Sequence, residues 1–169
     1  MNKKVRFITQ AAVIAALYVV LTIFISAFNL ASGAIQVRIS EALTILPFFT
    51  PAAIPGLFIG CLLSNTITGC ALLDIVFGSL ATLLGGVFTY LISEKLKHNT
   101  ISKWLAPIPP ILANTLIVPF ILAYVYQFEG SIIYFMITVG IGEVLSCGVL
   151  GFLLLQLLGK YKTFIFQQD

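Results

Sequence analysis

Charged residues are so sparse in this chain that they act as punctuation. Uncharged runs cover 7–37, 42–73, 75–93, 104–128 and 130–142, and the last resumes at 144–159 after the single Glu143. Soluble domains carry about 25% charged residues; here Asp, Glu, Lys and Arg make up 9%, against 60% hydrophobic residues. A soluble chain of 169 residues cannot hide so much apolar surface, whereas a bilayer accepts it. The pattern predicts an all-α integral membrane protein. At about 20 apolar residues per span there is room for about five or six helices and almost none for an aqueous domain. Any energy-supplying or catalytic domain is therefore expected on another chain. The net charge of +3 is too small and too scattered to signal a nucleic-acid partner; the expected surroundings are lipid.

The first helix is read over 7–28. Lys3, Lys4 and Arg6 before an apolar stretch, with the small residues Ala31-Ser32-Gly33-Ala34 after it, resemble a signal peptide. The stretch exceeds the usual core of about 7–15 residues, so a retained helix is expected. Further helices are read over 75–94, 104–126 and 131–159, with Trp104, Tyr124 and Tyr126 near membrane interfaces.

The region 40–67 carries Pro47, Pro51 and Pro55 and cannot be one straight helix. It is either one kinked span or two short ones, 40–50 and 52–66. Charge parity separates these. With two passages and the N-terminus inside, Lys3, Lys4, Arg6, Lys95, Lys97, Lys103, Lys160 and Lys162 all fall on the cytoplasmic side, and of nine basic residues only Arg38 lies outside. One passage would move five of these outward. The excess of Lys and Arg on cytoplasmic loops favours two passages. The expectation is one membrane domain over 1–169, a bundle of six transmembrane helices with both termini cytoplasmic. A re-entrant hairpin over 40–67 gives the same parity.

In that topology Asn29, Gln36, Arg38, Glu41, Asn65, Asp74, Gln127 and Glu129 gather at the outer side. Glu143 falls inside the last helix, about four turns from Lys160 and within the membrane. An ionisable group there is costly and marks a functional site by default. Its bland alternative is a structural partnership with Arg38 or a neighbouring helix. Asp74 lies near a helix N-terminus, where its charge serves as a cap as readily as a ligand. Asn114 either meets a ligand or hydrogen-bonds across helices. Arg38 and Glu41, three apart, either pair with each other or bind. Together these groups suit a polar, hydrogen-bonding ligand arriving from outside, and Phe28, Phe77, Tyr124 and Tyr134 are the rings available to stack on a flat one.

Small residues form a second pattern. Ala11-x-x-x-Ala15 overlaps Ala12-x-x-x-Ala16 on the first helix, and Gly56-x-x-x-Gly60 leads to Ser64 on the third. Small residues at this spacing let helices approach closely. The alanines are read as a docking face for a second membrane subunit, the glycines as internal packing.

Catalytic patterns are missing. The only histidine, His98, sits among Lys95, Lys97 and Lys103; there is no G-x-S-x-G, no H-E-x-x-H and no phosphate-binding G-x-x-x-x-G-K-[ST]. Cys61, Cys70 and Cys147 lack metal-ligand spacing and are expected to be buried hydrophobes without a disulfide. No enzyme, no metal and no cofactor of its own are expected.

Four stretches carry a resemblance: 36–44 (QVRISEALT), 56–65 (GLFIGCLLSN), 74–82 (DIVFGSLAT) and Gly142-Glu143. They resemble the QueT family, substrate-binding S-components of energy-coupling factor (ECF) transporters assigned to queuosine precursors, over roughly 7–158. The resemblance implies an S-component fold of six helices, a separate transmembrane coupling subunit that docks on the Ala-x-x-x-Ala face, and two cytoplasmic ATPases that consume the ATP. It also implies a deazaguanine ligand held under outer loops 29–40, 64–74 and 127–131, and delivered inward when ATP hydrolysis reorients the subunit. On chemistry, Glu143 is expected to accept the paired N–H donors of a guanine-like edge. Asp74 or Glu41 would meet a cationic aminomethyl group, and Asn65 and Asn114 the ring carbonyl and nitrogens. Arg38 and Tyr124 complete the expected binding set. Another vitamin-like ligand, or a stand-alone transporter, are the alternatives.

Overall fold

The computed structural model describes residues 2–27, 38–96 and 99–166. Phe28, Asn29, Gln36, the small-residue stretch 31–34 and His98 lie outside the described residues. What is described is all helical. Helix α1 spans Lys3–Ser26, the 3-10 helix η1 Ile39–Phe48, α2 Ala53–Ile67 and α3 Leu72–Lys95. Then follow α4 (Thr100–Leu105), α5 (Ile108–Tyr124), α6 (Ile132–Glu143), the π-helical turn η2 (Val144–Leu150) and α7 (Gly151–Phe166). Four stretches are long and apolar enough to cross a membrane: Lys3–Ser26, Leu72–Lys95, Thr100–Tyr124 and Ile132–Tyr161. With the shorter η1 and α2 between the first two, they make a multi-pass membrane bundle.

Side-chain caps start several helices where the sequence supplies them. Asn2 accepts from the Lys4 amide, Asn99 from the Ser102 amide and Ser131 from the Tyr134 amide. The expected helix 104–126 is broken instead into α4 and α5. Pro107, Pro109 and Pro110 follow one another at the junction and withhold the amides a continuous helix needs. The buried carbonyl of Ala106, which Pro110 has no amide to meet, accepts from Thr89 Oγ1 at 2.9 Å.

Hydrogen bonds fix how the prolines route 39–67. Ser40 Oγ accepts from Thr22 in the last turns of α1, whereas Thr50, just past η1, donates to Gln10 near its start. Phe48 O accepts from Ser93, next to Glu94-Lys95 at the end of α3. So η1 runs alongside about half the length of α1, the chain turns at 49–52, and α2 runs back beside α1. The segment 39–67 is thus a helical hairpin inside the bundle, each arm shorter than the four long apolar stretches. The α7 side chains Leu154 and Leu158 then line the same groove as Thr9 and Gln10, so the chain's two ends lie toward one side of the bundle.

η1 is the central element, packed by α1, α2, α3, α7 and η2, and every residue from Ser40 to Phe48 is buried. Its apolar residues Leu43, Ile45, Leu46 and Phe48 form the main core with Ile14, Tyr18, Leu57 and Leu155. Large side chains such as Ile8, Val20, Leu72, Phe88 and Ile133 point outward, as lipid contact permits.

Candidate functional site

The interior of this apolar bundle is polar at one level. Glu41 sits in the first turn of η1 and Glu143 ends α6, just before the π-helical turn; both are buried. Non-α segments of this kind often occur at functional sites, because they redirect side chains that a regular helix would send elsewhere. Here the two irregular segments pack on each other, and the Cys147 thiol of η2 contacts the Glu41 carbonyl at 3.4 Å.

Donors from three elements converge on the two carboxyl groups. Tyr18 of α1 donates its hydroxyl to Glu41 Oε1. Asn114 of α5 donates to Glu41 Oε2 at 3.4 Å and also neighbours Glu143. Cys147 donates to Glu143 Oε2 at 3.1 Å. One oxygen of each glutamate and the Cys147 sulfur lie within 4.8 Å of one another. The single thiol proton is directed at the nearer Glu143 oxygen, 3.1 Å away, with the Glu41 carbonyl at 3.4 Å. Two ionised carboxylates within 4.8 Å of each other repel by roughly 3 kcal/mol even at an effective dielectric constant of about 20.

A second group lies alongside. Asp74, in the first turn of α3, accepts from the Tyr126 hydroxyl at 2.8 Å, and that hydroxyl accepts from the Ala71 amide at 3.1 Å. Tyr126 follows α5, where the chain reverses at Gln127 with a left-handed φ of 52°. Burial, and then the neighbouring Asp74 carboxylate, push its phenol above the usual tyrosine range, so it remains a donor. A Cβ on Gly78 would stand 3.2 Å from Asp74 Oδ1 and 3.4 Å from Asn65 Nδ2; its absence is what lets those two groups share the space. Asn65 also reaches Cys61 Sγ, as does Thr82. Arg38, half-buried at the head of η1, links the halves: Asp74, Tyr18, Cys61 and Glu41 all belong to its electrostatic surroundings.

Of the residues singled out in the sequence, the structure thus gathers Glu143, Glu41, Asn114, Arg38, Asp74 and Asn65. It does not bring in Tyr124. That ring is 70% exposed and stacks on Phe120, facing the lipid side of α5. Phe77 and Tyr134 also point outward. The tyrosines that enter are Tyr18 and Tyr126. Tyr18 carried a signal, a phenol in the middle of an aliphatic span where aromatic rings usually keep to the interfaces. Tyr126 had none, since its inward aim depends on α5 ending at Tyr124. Cys61 and Cys147 are buried and free, as small hydrophobes would be, but each also touches the polar groups.

The alanines divide by face. Ala11 and Ala15 pack on α2: a Cβ on Gly56 would lie 2.7 Å from Ala11 O, and one on Gly60 3.1 Å from Ala15 Cα. Ala12 and Ala16 are exposed, and all four alanines line a groove with Phe7, Pro55 and Ile59.

Comparison with known proteins places this arrangement. The chain is 34% identical over 92 residues to the queuosine precursor transporter QueT of Lactococcus lactis subsp. cremoris (strain MG1363). That match covers 54% of each chain, about half the length of the relative. No solved structure matches. The profile of the QueT transporter family matches residues 8–160, from the start of α1 into α7, and every residue of the polar core lies inside it. On that match the chain belongs to the QueT transporter family, a family of membrane transporters rather than enzymes.

Proposed function

We propose that this chain is the substrate-binding membrane subunit of an ECF-type importer and captures a queuosine precursor, a deazaguanine base, from outside the cell. The observation that carries the reading is the convergence of Glu41, Glu143, Asp74, Asn65, Asn114 and Arg38 inside a bundle whose flanks are otherwise apolar. Carboxylates and amides are the acceptors and donors a guanine-like ring needs, and isolated buried charges are too costly to keep without a use. The similarity to a protein named as a queuosine precursor transporter supports the ligand class.

Delivery is assigned to partners: a transmembrane coupling subunit seated on the groove of Ala12 and Ala16, and two cytoplasmic ATPases that reorient the subunit. The termini are assigned to the cytoplasm because Lys3, Lys4, Arg6, Lys95, Lys103 and Lys160 belong to the same side of the bundle.

Thermal unfolding of the detergent-purified chain against deazaguanines, guanine, thiamine, riboflavin and folate tests the ligand class. A ligand at about 100 times its Kd stabilises by about 2.7 kcal/mol. A raised midpoint with deazaguanines alone is expected. A shift with thiamine, riboflavin or folate instead would replace the ligand, and no shift from folded protein would reopen the stand-alone transporter reading.

A further inference from the structure

The polar core holds more acid than base. Glu41, Glu143 and Asp74 are all buried there, and Arg38 is the one basic residue on that side of the bundle by sequence, the other Lys and Arg residues lying toward the opposite end. Tyr126 donates to Asp74, and the single Arg38 guanidinium acts on all three carboxylates. The two glutamates have oxygens within 4.8 Å of each other, and one guanidinium serves three acids.

The groups that face them from each packed element are Tyr18 on α1, Cys61 on α2, Asp74 on α3, Asn114 on α5 and Cys147 on η2, with Arg38 at the head of η1. Tyr18, Asn114 and Cys147 supply hydrogen-bond donors but no positive charge. With three carboxylates to one guanidinium the site has too much negative charge for a buried place, and something positive must accompany the adjacent glutamates.

Resting on the reading of the preceding section, we infer that the Glu41–Glu143 pair binds one exchangeable positive charge, a proton in the empty site and the ligand's ammonium group in the loaded one. The exchange balances: an aminomethyl-deazaguanine enters with its ammonium charge, the proton shared by the two carboxyl groups leaves to water, and the net charge of the site is unchanged. The aminomethyl group then lies between Glu41 and Glu143. The guanine-like edge moves from Glu143, where the sequence alone put it, to Asp74 and Asn65, which meet beside Gly78. The site selects the cationic deazaguanine over a neutral one of the same shape, and competes for it with protons.

Calorimetric titration of the purified chain with aminomethyl-deazaguanine and with its neutral nitrile counterpart, between about pH 6 and about pH 8, tests the exchange. Where the empty site holds its proton, affinity for the amine should rise about tenfold per pH unit, with one proton released per ligand, while affinity for the nitrile stays level. In Glu143→Gln the slope should vanish and the preference for the amine should shrink by about tenfold or more. The wild-type slopes need no variant, so a Glu143→Gln protein that fails to fold leaves the test intact. Tight binding of the amine at a pH-independent affinity, or equal slopes for amine and nitrile, would overturn the exchange while leaving the transport reading standing. Failure of folded protein to bind either compound would overturn both.

Discussion

Tyr18 is the most deeply buried aromatic side chain on α1, 1% exposed, and its hydroxyl meets Glu41. Removing that donor leaves a carboxylate oxygen in an apolar interior without the partner that offsets its lost hydration. Tyr18→Phe is expected to cost about 1–3 kcal/mol, read as a lower unfolding midpoint in detergent. An unchanged midpoint would mean that another donor takes over at once. The same logic separates Tyr126 from Tyr124, two positions apart on the chain. Tyr126→Phe strips Asp74 and the Ala71 amide of a shared partner and should weaken both ligand binding and the α2–α3 connection. Tyr124→Phe, on the lipid face, should leave binding where it was. Isothermal titration of the two variants side by side distinguishes them.

Helices α1 and α2 owe their close approach to the absence of side chains at Gly56 and Gly60. A Cβ at Gly60 would stand 2.8 Å from Tyr18 Cβ, and one at Gly56 2.7 Å from a backbone oxygen, neither of which can swing aside. Gly60→Leu should push the helices apart, displace Tyr18 from Glu41 and cost about 1–3 kcal/mol or more, seen as a depressed unfolding midpoint. The outward alanines behave in the opposite way. Ala12→Trp or Ala16→Trp adds bulk on the exposed face of α1, so folding and ligand binding should survive while uptake by whole cells is lost. Normal assembly with partner subunits in those variants would sink the docking proposal. The irregular helices set a third requirement. η1 carries Pro47, and in η2 the stretched turn after Glu143 aligns Cys147 with Glu143 and the start of η1.

At the scale of the molecule, the proposed orientation with both termini cytoplasmic and the proposed six passages are tested together by labelling. A cysteine placed at Gly69, in the turn between α2 and α3, should react with a membrane-impermeant maleimide in intact cells. One at Lys103 should react only after permeabilisation, with Cys70 replaced by serine to silence the background. The reverse pattern would mean an inverted orientation or a single passage over 40–67, and labelling at both positions would mean that α3 does not cross the membrane. Much of this architecture was legible in the chain, because long uncharged runs can be satisfied only as helices in lipid and because Lys and Arg resist crossing it. The same cost of burying charge singled out Glu143 as an interior group, whereas Asp74 and Glu41, expected at the outer side, proved to be buried beside it. Sequence also identified the prolines that rule out a straight helix over 40–67, but left open how deeply that segment turns; Thr50 to Gln10 and Ser93 to Phe48 are long-range bonds that periodicity does not encode. Nor could spacing show that Tyr126 turns in while Tyr124 turns out, or that Glu41 and Glu143 come to lie side by side from distant parts of the chain. Hydropathy fixes which surfaces leave water, one residue at a time. Which buried polar groups then meet depends on where helices break and how closely they pack, and that is settled only when the whole bundle closes.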